Sequence, residues 1–245
     1  MLKMYSNHLY KFLVLLSIAS CDECSKYKVT DQIYFDVKMD NRLLGRIVFG
    51  LFGEVAPITC ENFKEIAING INGKSYLGTR FHTAIERVMI QGGDIVNDNG
   101  TGSMSIYGKY FEDENFIIKN DSPGLLMMAN EGPDTNGCQF MITTMPMPWL
   151  DGKNVIFGKV LNGAGVVHKI EHLKTDINEK ILNHVWISKV GSIDTVPFYE
   201  ASKNYEQTIW AWLKAGLFPL SISLSVMACF QYFFNQLSKA SSPGE

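Results

Sequence analysis

The chain has 245 residues, with 22 Lys+Arg against 25 Asp+Glu for a formal net charge of −3, and 46% of its residues are hydrophobic. It is too apolar for a disordered chain and lacks the positive excess of a general nucleic-acid binder. The mean hydropathy of +0.01 is slightly high for a soluble enzyme, and the excess lies in two apolar runs near the ends.

Residues 1–24 carry Lys3, His8 and Lys11, then the apolar run from Phe12 to Ala19, with Ser17, Ala19 and Ser20 as small residues near its end. The run is shorter than the roughly 20 residues of a membrane helix. Its basic flank and small residues predict a secretory signal peptide.

Residues 29–193 have the length of one domain. Ile33, Phe35, Val37 and Met39 alternate with polar residues, Asp40-Asn41 supplies a turn, and Ile47, Phe49 and Leu51 alternate again, which predicts a hairpin. Pro57 opens a helix with Cys60, Phe63 and Ala67 on one face, ended by Asn69-Gly70. Short apolar runs follow at 88–90, 124–129, 140–143 and 155–160, then helix-spaced Val166, Val167, Ile170 and Leu173, and a last strand at 185–190. Many short strands, few helices and frequent turns predict an all-β fold, a closed antiparallel barrel.

Residues 194–208 read as a polar linker. Within 209–235, the stretch from Ala215 to Phe234 is about 30 Å long as a helix, the hydrocarbon thickness of a bilayer. Trp210 and Trp212 precede it and Tyr232, Phe233 and Phe234 close it, as interfacial aromatics do. The layout predicts a single-pass protein of the endoplasmic reticulum or secretory-pathway membrane, with a lumenal domain, a C-terminal transmembrane anchor and a short cytosolic tail at 236–245. Cys24, Cys60 and Cys138 would then face the lumen, an odd number that implies no complete disulfide framework. Asn99-Gly-Thr101 and Asn120-Asp-Ser122 are sequons, making Asn99 and Asn120 candidate glycosylation sites.

Other signals carry no chemistry. Gly73-Lys74-Ser75 has Ile68 where a phosphate-binding loop needs glycine. His168 and His172 are an i,i+4 pair with no third ligand at metal-site spacing, and read as a surface pair; no metal site is expected. Leu125, Leu126, Met127 and Met128 read as barrel core.

Several motifs remain: Phe81-His82, Met89 with Gln91-Gly-Gly-Asp94, Asn99-Gly-Thr-Gly102, Tyr110-Phe-Glu-Asp-Glu-Asn-Phe116, Met128-Ala-Asn130, Asn136-Gly-Cys-Gln-Phe140, Trp149-Leu-Asp-Gly-Lys153 and Val155-Ile-Phe-Gly-Lys-Val160. In kind and order they resemble the cyclophilins, and with the two end segments the layout is most similar to membrane-anchored photoreceptor members of that family. The resemblance implies an eight-stranded antiparallel barrel capped by two helices. It also implies a groove for Xaa-Pro segments of client proteins and peptidyl-prolyl cis–trans isomerase activity without a cofactor. On the same ground His82, Gln91, Asn130 and Gln139 are the catalytic candidates. Thr83, Val88, Met89, Gly100, Ala129, Met141, Trp149 and Leu150 are the substrate-binding ones, with Trp149 at the position the family uses for cyclosporin-type ligands. An opsin-like membrane protein is the implied client.

The departures from the family pattern fall in the groove. Thr83 stands where the family has an arginine that donates to the twisted amide, and loss of one such donor typically reduces a rate by about 10²–10³. Val88 and Met141 replace pocket phenylalanines, Glu131 a small residue and Asn154 a histidine. Two functions are therefore expected to compete: a prolyl isomerase assisting folding and transport of secretory-pathway proteins, or a tethered chaperone and escort with weak or no isomerase activity.

Overall fold

The computed structural model describes residues 26–201 and, beyond them, Gln231 alone. The expected signal peptide, the end of the linker, the anchor and the tail lie outside the described residues, Gln231 excepted. Among the described residues no helix is long and apolar enough to cross a membrane.

The chain forms strands β1 (Lys26–Val29), β2 (Asp31–Met39) and β3 (Arg42–Leu51), helix α1 (Pro57–Ile68), then β4 (Phe81–Ile85), β5 (Met89–Gly92), β6 (Leu125–Met128) and β7 (Phe140–Thr143). A single 3-10 turn at Pro148–Leu150 leads to β8 (Ile156–Asn162), helix α2 (Ala164–Glu171), β9 (Val185–Ile193) and β10 (Phe198–Ala201). Eight strands make one antiparallel sheet in the order β4-β5-β7-β6-β8-β3-β2-β9. The end strands meet where Arg80 bridges Trp186, and Gly78 N and Ile187 N donate to Ile187 O and Thr79 O at 2.8 and 2.9 Å. The curled sheet thus closes on a short bridge rather than a full ladder, and the two helices accompany it.

The alternation read from the sequence becomes the interior. Ile33, Phe35 and Val37 of β2 and Ile47, Phe49 and Leu51 of β3 are fully buried, and Met39 pairs with Arg42 across the two-residue Asp40-Asn41 loop. Helix α1 adds Cys60, Phe63, Ile66 and Ala67 to the same core. Phe63 is its hub, with ring centroids 5.1–5.9 Å from those of Phe35, Phe49, Tyr76, Phe140 and Phe157. No side chain of α1's own N-cap residue caps it. Glu114 does so from a distant loop, accepting Ile58 N and Thr59 N at 2.9 Å each and Thr59 Oγ1 at 2.8 Å. A carboxylate there meets both the unpaired N–H groups and the positive end of the helix dipole.

Strands β6 and β7 are buried throughout because both their faces are covered. Leu126, Met128, Phe140 and Ile142 face the interior, whereas Leu125, Met127 and Met141 join a second apolar cluster with Val29, Phe52, Ile118, Met147 and Ile156. Reading Leu125–Met128 as one barrel core is correct for only half of the run. The expected linker also differs: Phe198–Ala201 pairs with Lys26–Val29 in a separate two-stranded sheet, so ordered structure extends past 193 and begins before 29. The β-prone Phe198-Tyr199 pair sits inside an otherwise polar stretch.

Candidate active site

Because side chains alternate along a strand, the same strands that seal the interior present a second row outside. Ala84, Ile90, Ile142 and Leu126 are register neighbours facing inward; Thr83, Gln91, Met141 and Met127 are register neighbours on the other face. The register slips between Phe81 and Thr83, which makes His82 the extra residue of a β-bulge. Bulges re-aim side chains and are frequent beside active sites.

A groove of about 640 Å³ opens on this outer face, a size that suits a short peptide segment. Val88, Met89, Met141, Trp149, Leu150 and Asn130 line it, bringing together six of the residues singled out in the sequence. Trp149 is 53% exposed at the rim. Val88 and Met141 put aliphatic side chains where the family pattern has aromatic rings. Ala129 packs against the second apolar cluster, and its N–H donates to Gln139 O at 3.0 Å. Asn130 Nδ2 donates to Lys153 O at 2.7 Å and Asn154 Nδ2 to Met128 O at 3.0 Å, so both amides brace the groove wall.

The remaining candidates form a polar end beside the groove. Gln91 Nε2 donates to Gln139 Oε1 at 2.9 Å, and Gln139 Nε2 donates to Gly100 O and Gly102 O at 3.1 and 2.8 Å. The loop they hold is built around one buried carboxylate. Asp94 accepts the main-chain N–H groups of Val96, Asn97, Asn99, Gly100 and Gly102 at 2.8–3.2 Å. Burial alone would push the Asp94 carboxyl up, but these donors outweigh it and hold it down at about 2. Gly100 has φ +92 and lies so close to His82 that a Cβ would sit 2.6 Å from His82 Nε2, which requires glycine on both counts.

His82 itself is buried, and both ring nitrogens lack a hydrogen-bond partner among the described residues. Burial, reinforced by the charge of Lys180, pushes it down to about 4. It is a neutral imidazole at physiological pH, packed under Gly100 rather than lining the groove.

Three groups that the sequence reading passed over shape the site. Asp94 closes the Gln91-Gly-Gly-Asp94 motif, and its role as the acceptor at the centre of the loop shows only in the folded chain. Lys180 reaches the polar end from another segment, its Nζ 3.2 Å from Thr83 Oγ1 and 3.3 Å from Asn99 O. Glu171 is the third group at the His168–His172 pair, which corrects the reading that no third ligand stands at metal-site spacing: its Oε2 is 3.4 Å from His168 Nδ1 and 3.6 Å from His172 Nδ1. Glu171 Oε1 accepts Arg87 N at 2.6 Å, tying α2 to the β4–β5 turn, and His172 Nδ1 donates to His168 O at 2.9 Å.

The modification candidates separate. Asn99 is exposed on its loop. Asn120 is 1% exposed, and its main-chain and side-chain nitrogens both donate to Asp151 Oδ1; a glycan there is incompatible with this packing, which corrects the expectation from its sequon. Cys60 and Cys138 are free and buried, with their thiols pushed up by burial, so neither is a reactive group.

Residues 34–192 match the family described as cyclophilin type peptidyl-prolyl cis-trans isomerase. The rhodopsin-specific isozyme of peptidyl-prolyl cis-trans isomerase from Calliphora vicina is 47% identical over 232 residues, 94% of this chain and 98% of that one. Peptidyl-prolyl cis-trans isomerase D of Saccharomyces cerevisiae is 47% identical over 76% of this chain and 84% of its own length. Isomerase B of the same yeast is 46% identical over 66% and 80%. With the curled eight-stranded sheet and the groove that its outer row lines, these matches place the chain in the cyclophilin-type peptidyl-prolyl cis–trans isomerase family.

Proposed function

We propose that the domain isomerises Xaa-Pro bonds in membrane-protein clients of the secretory pathway, held at the membrane by the C-terminal apolar segment. The barrier to be lowered is the roughly 18–20 kcal/mol of amide rotation, which otherwise takes tens of seconds or longer. No covalent step is required. The groove must favour the twisted amide, whose nitrogen has lost resonance and accepts a hydrogen bond, over both planar forms. The apolar side chains of Met89, Met141 and Leu150 suit a proline ring. The Gln91–Gln139 pair, braced on Gly100 O and Gly102 O, offers fixed amides for the peptide backbone.

The observation that carries this reading is the continuity of the row Thr83–Gln91–Met141, which joins polar groups to an apolar pocket on one rigid sheet. The client class is supported by the relative named as rhodopsin-specific, which spans nearly the whole chain, and by the signal-like and anchor-like ends of the sequence. Exposed Asn99 suits a glycan in such a compartment. The test is the rate of Xaa-Pro isomerisation by the full chain, together with its glycosylation and membrane extraction in cells.

A second reading, an escort that binds clients with little catalysis, draws on Thr83, Val88 and Met141. It predicts that removal of residues 209–245 abolishes client delivery while the lumenal domain still folds. Full delivery by the untethered domain would remove it.

A further inference from the structure

We propose that Lys180 is a catalytic residue of this groove, its ammonium acting with the Thr83 hydroxyl as the cationic donor to the rotating amide. The proposal rests on the isomerase reading above.

Lys180 is placed by main-chain bonds rather than by its own side chain. Residues 179–181 run antiparallel to β4, with Thr83 bridging Lys180, Ala84 N donating to Glu179 O at 3.1 Å and Ile181 N donating to His82 O at 3.0 Å. Asp176 Oδ1 shapes the turn before it, accepting Asn178 N and Lys180 N at 2.8 and 2.9 Å. From this fixed origin Nζ reaches Thr83 Oγ1 and Asn99 O. An ammonium has three donors, and the third has no partner among the described residues. No carboxylate pairs with Lys180 among them either, whereas the neighbouring Arg80 is taken by Asp98 at 2.7 Å.

The hydroxyl of Thr83 accepts from Nζ, which leaves its own hydrogen free to donate. Thr83 heads the row whose next members are Gln91 and Met141, and Met141 lines the groove; cross-strand neighbours lie about 5 Å apart. A positive charge therefore sits two strands from Met141, at the end of the row where His82 is neutral and the Gln91 and Gln139 amides are engaged. Charge-assisted donors are about twice as strong as neutral ones, which is what a nitrogen gaining a lone pair requires. Thr83 lacks the length and charge of an arginine; Lys180 brings both from a different segment.

The experiment measures kcat and KM on an Xaa-Pro tetrapeptide for the full chain and for Lys180→Met, Lys180→Arg, Thr83→Arg and the Thr83→Arg/Lys180→Met pair, with thermal unfolding of each. The proposal predicts that Lys180→Met lowers kcat by about 10²-fold with KM little changed, that Lys180→Arg retains most of the rate, and that Thr83→Arg rescues Lys180→Met. A native-like rate in Lys180→Met overturns it, as does a gain of about 10² from Thr83→Arg alone, which would mean that the native groove lacks a cation. If Lys180→Met unfolds, the Lys180→Arg rate still decides. Silence of the native chain with recovery in Thr83→Arg rejects the role of Lys180 but keeps the groove; silence in both rejects the isomerase reading itself.

Discussion

The interior of the barrel and the outer face of the same four strands are made of adjoining residues under opposite constraints. Inward, Ala84, Ile90, Ile142 and Leu126 are sealed and apolar, and the aromatic rings around Phe63 leave no polar group to satisfy except Tyr76, whose hydroxyl donates to Cys138 O at 2.7 Å. Outward, one row runs from the charged contact at Thr83 through the amide of Gln91 to the sulfur of Met141. Interior residues therefore set stability with little say in chemistry. The outer row spends its side chains on a gradient from polar to apolar along which a prolyl peptide can lie.

Mutations break this comparison most forcefully from inside. Phe63→Ala should cost about 3–5 kcal/mol, because it empties the hub of the ring cluster; urea unfolding measures it, and a loss below about 1 kcal/mol would mean the core is not organised as described.

Next comes pH, through His82 at the boundary of the two regions. Its folded value is about 4 against about 6.5 unfolded. Between those values the unfolded chain binds more protons than the folded one, so stability falls as pH drops from about 6.5 to about 4, by about 3 kcal/mol in total, and is fully present above about 6.5. Urea unfolding at several pH values should show this slope, and His82→Gln should flatten it. An unchanged slope in that variant would place the titration elsewhere.

The outer row gives a slightly smaller effect in a different observable. Gln139→Ala removes the bonds to Gln91, Gly100 and Gly102. It should lower kcat/KM for an Xaa-Pro peptide by about 10²-fold while the domain stays folded, as judged by circular dichroism. Equal losses of rate and fold would erase the distinction between the two faces. The smallest effect belongs to a support far from both: Glu114→Ala should cost about 1 kcal/mol by uncapping α1, with the rate per folded molecule unchanged.

Much of the interior is legible in the sequence because its signals are local. The period-2 run of β2 and the Cys60–Phe63–Ala67 face of α1 each reveal their burial through nearest neighbours. Strand β4 escapes that reading because the bulge at His82 breaks its alternation. The β1–β10 pair escapes it because the partners lie at opposite ends of the described chain. The site divides the same way. Motif resemblance identifies Met89, Met141, Trp149 and Leu150 in the groove, but the Glu114 cap and the Lys180–Thr83 contact depend on chain segments brought together only by folding. Asn120 fails for the complementary reason, since a sequon says nothing of burial.

The central claim, that the outer row of this sheet turns prolyl bonds, is tested most directly by NMR exchange spectroscopy on an Xaa-Pro peptide mixed with a small amount of the full chain. The account predicts exchange cross-peaks between the cis and trans resonances, lost in Gln139→Ala. Peptide binding without such cross-peaks, in a chain that remains folded, would contradict it.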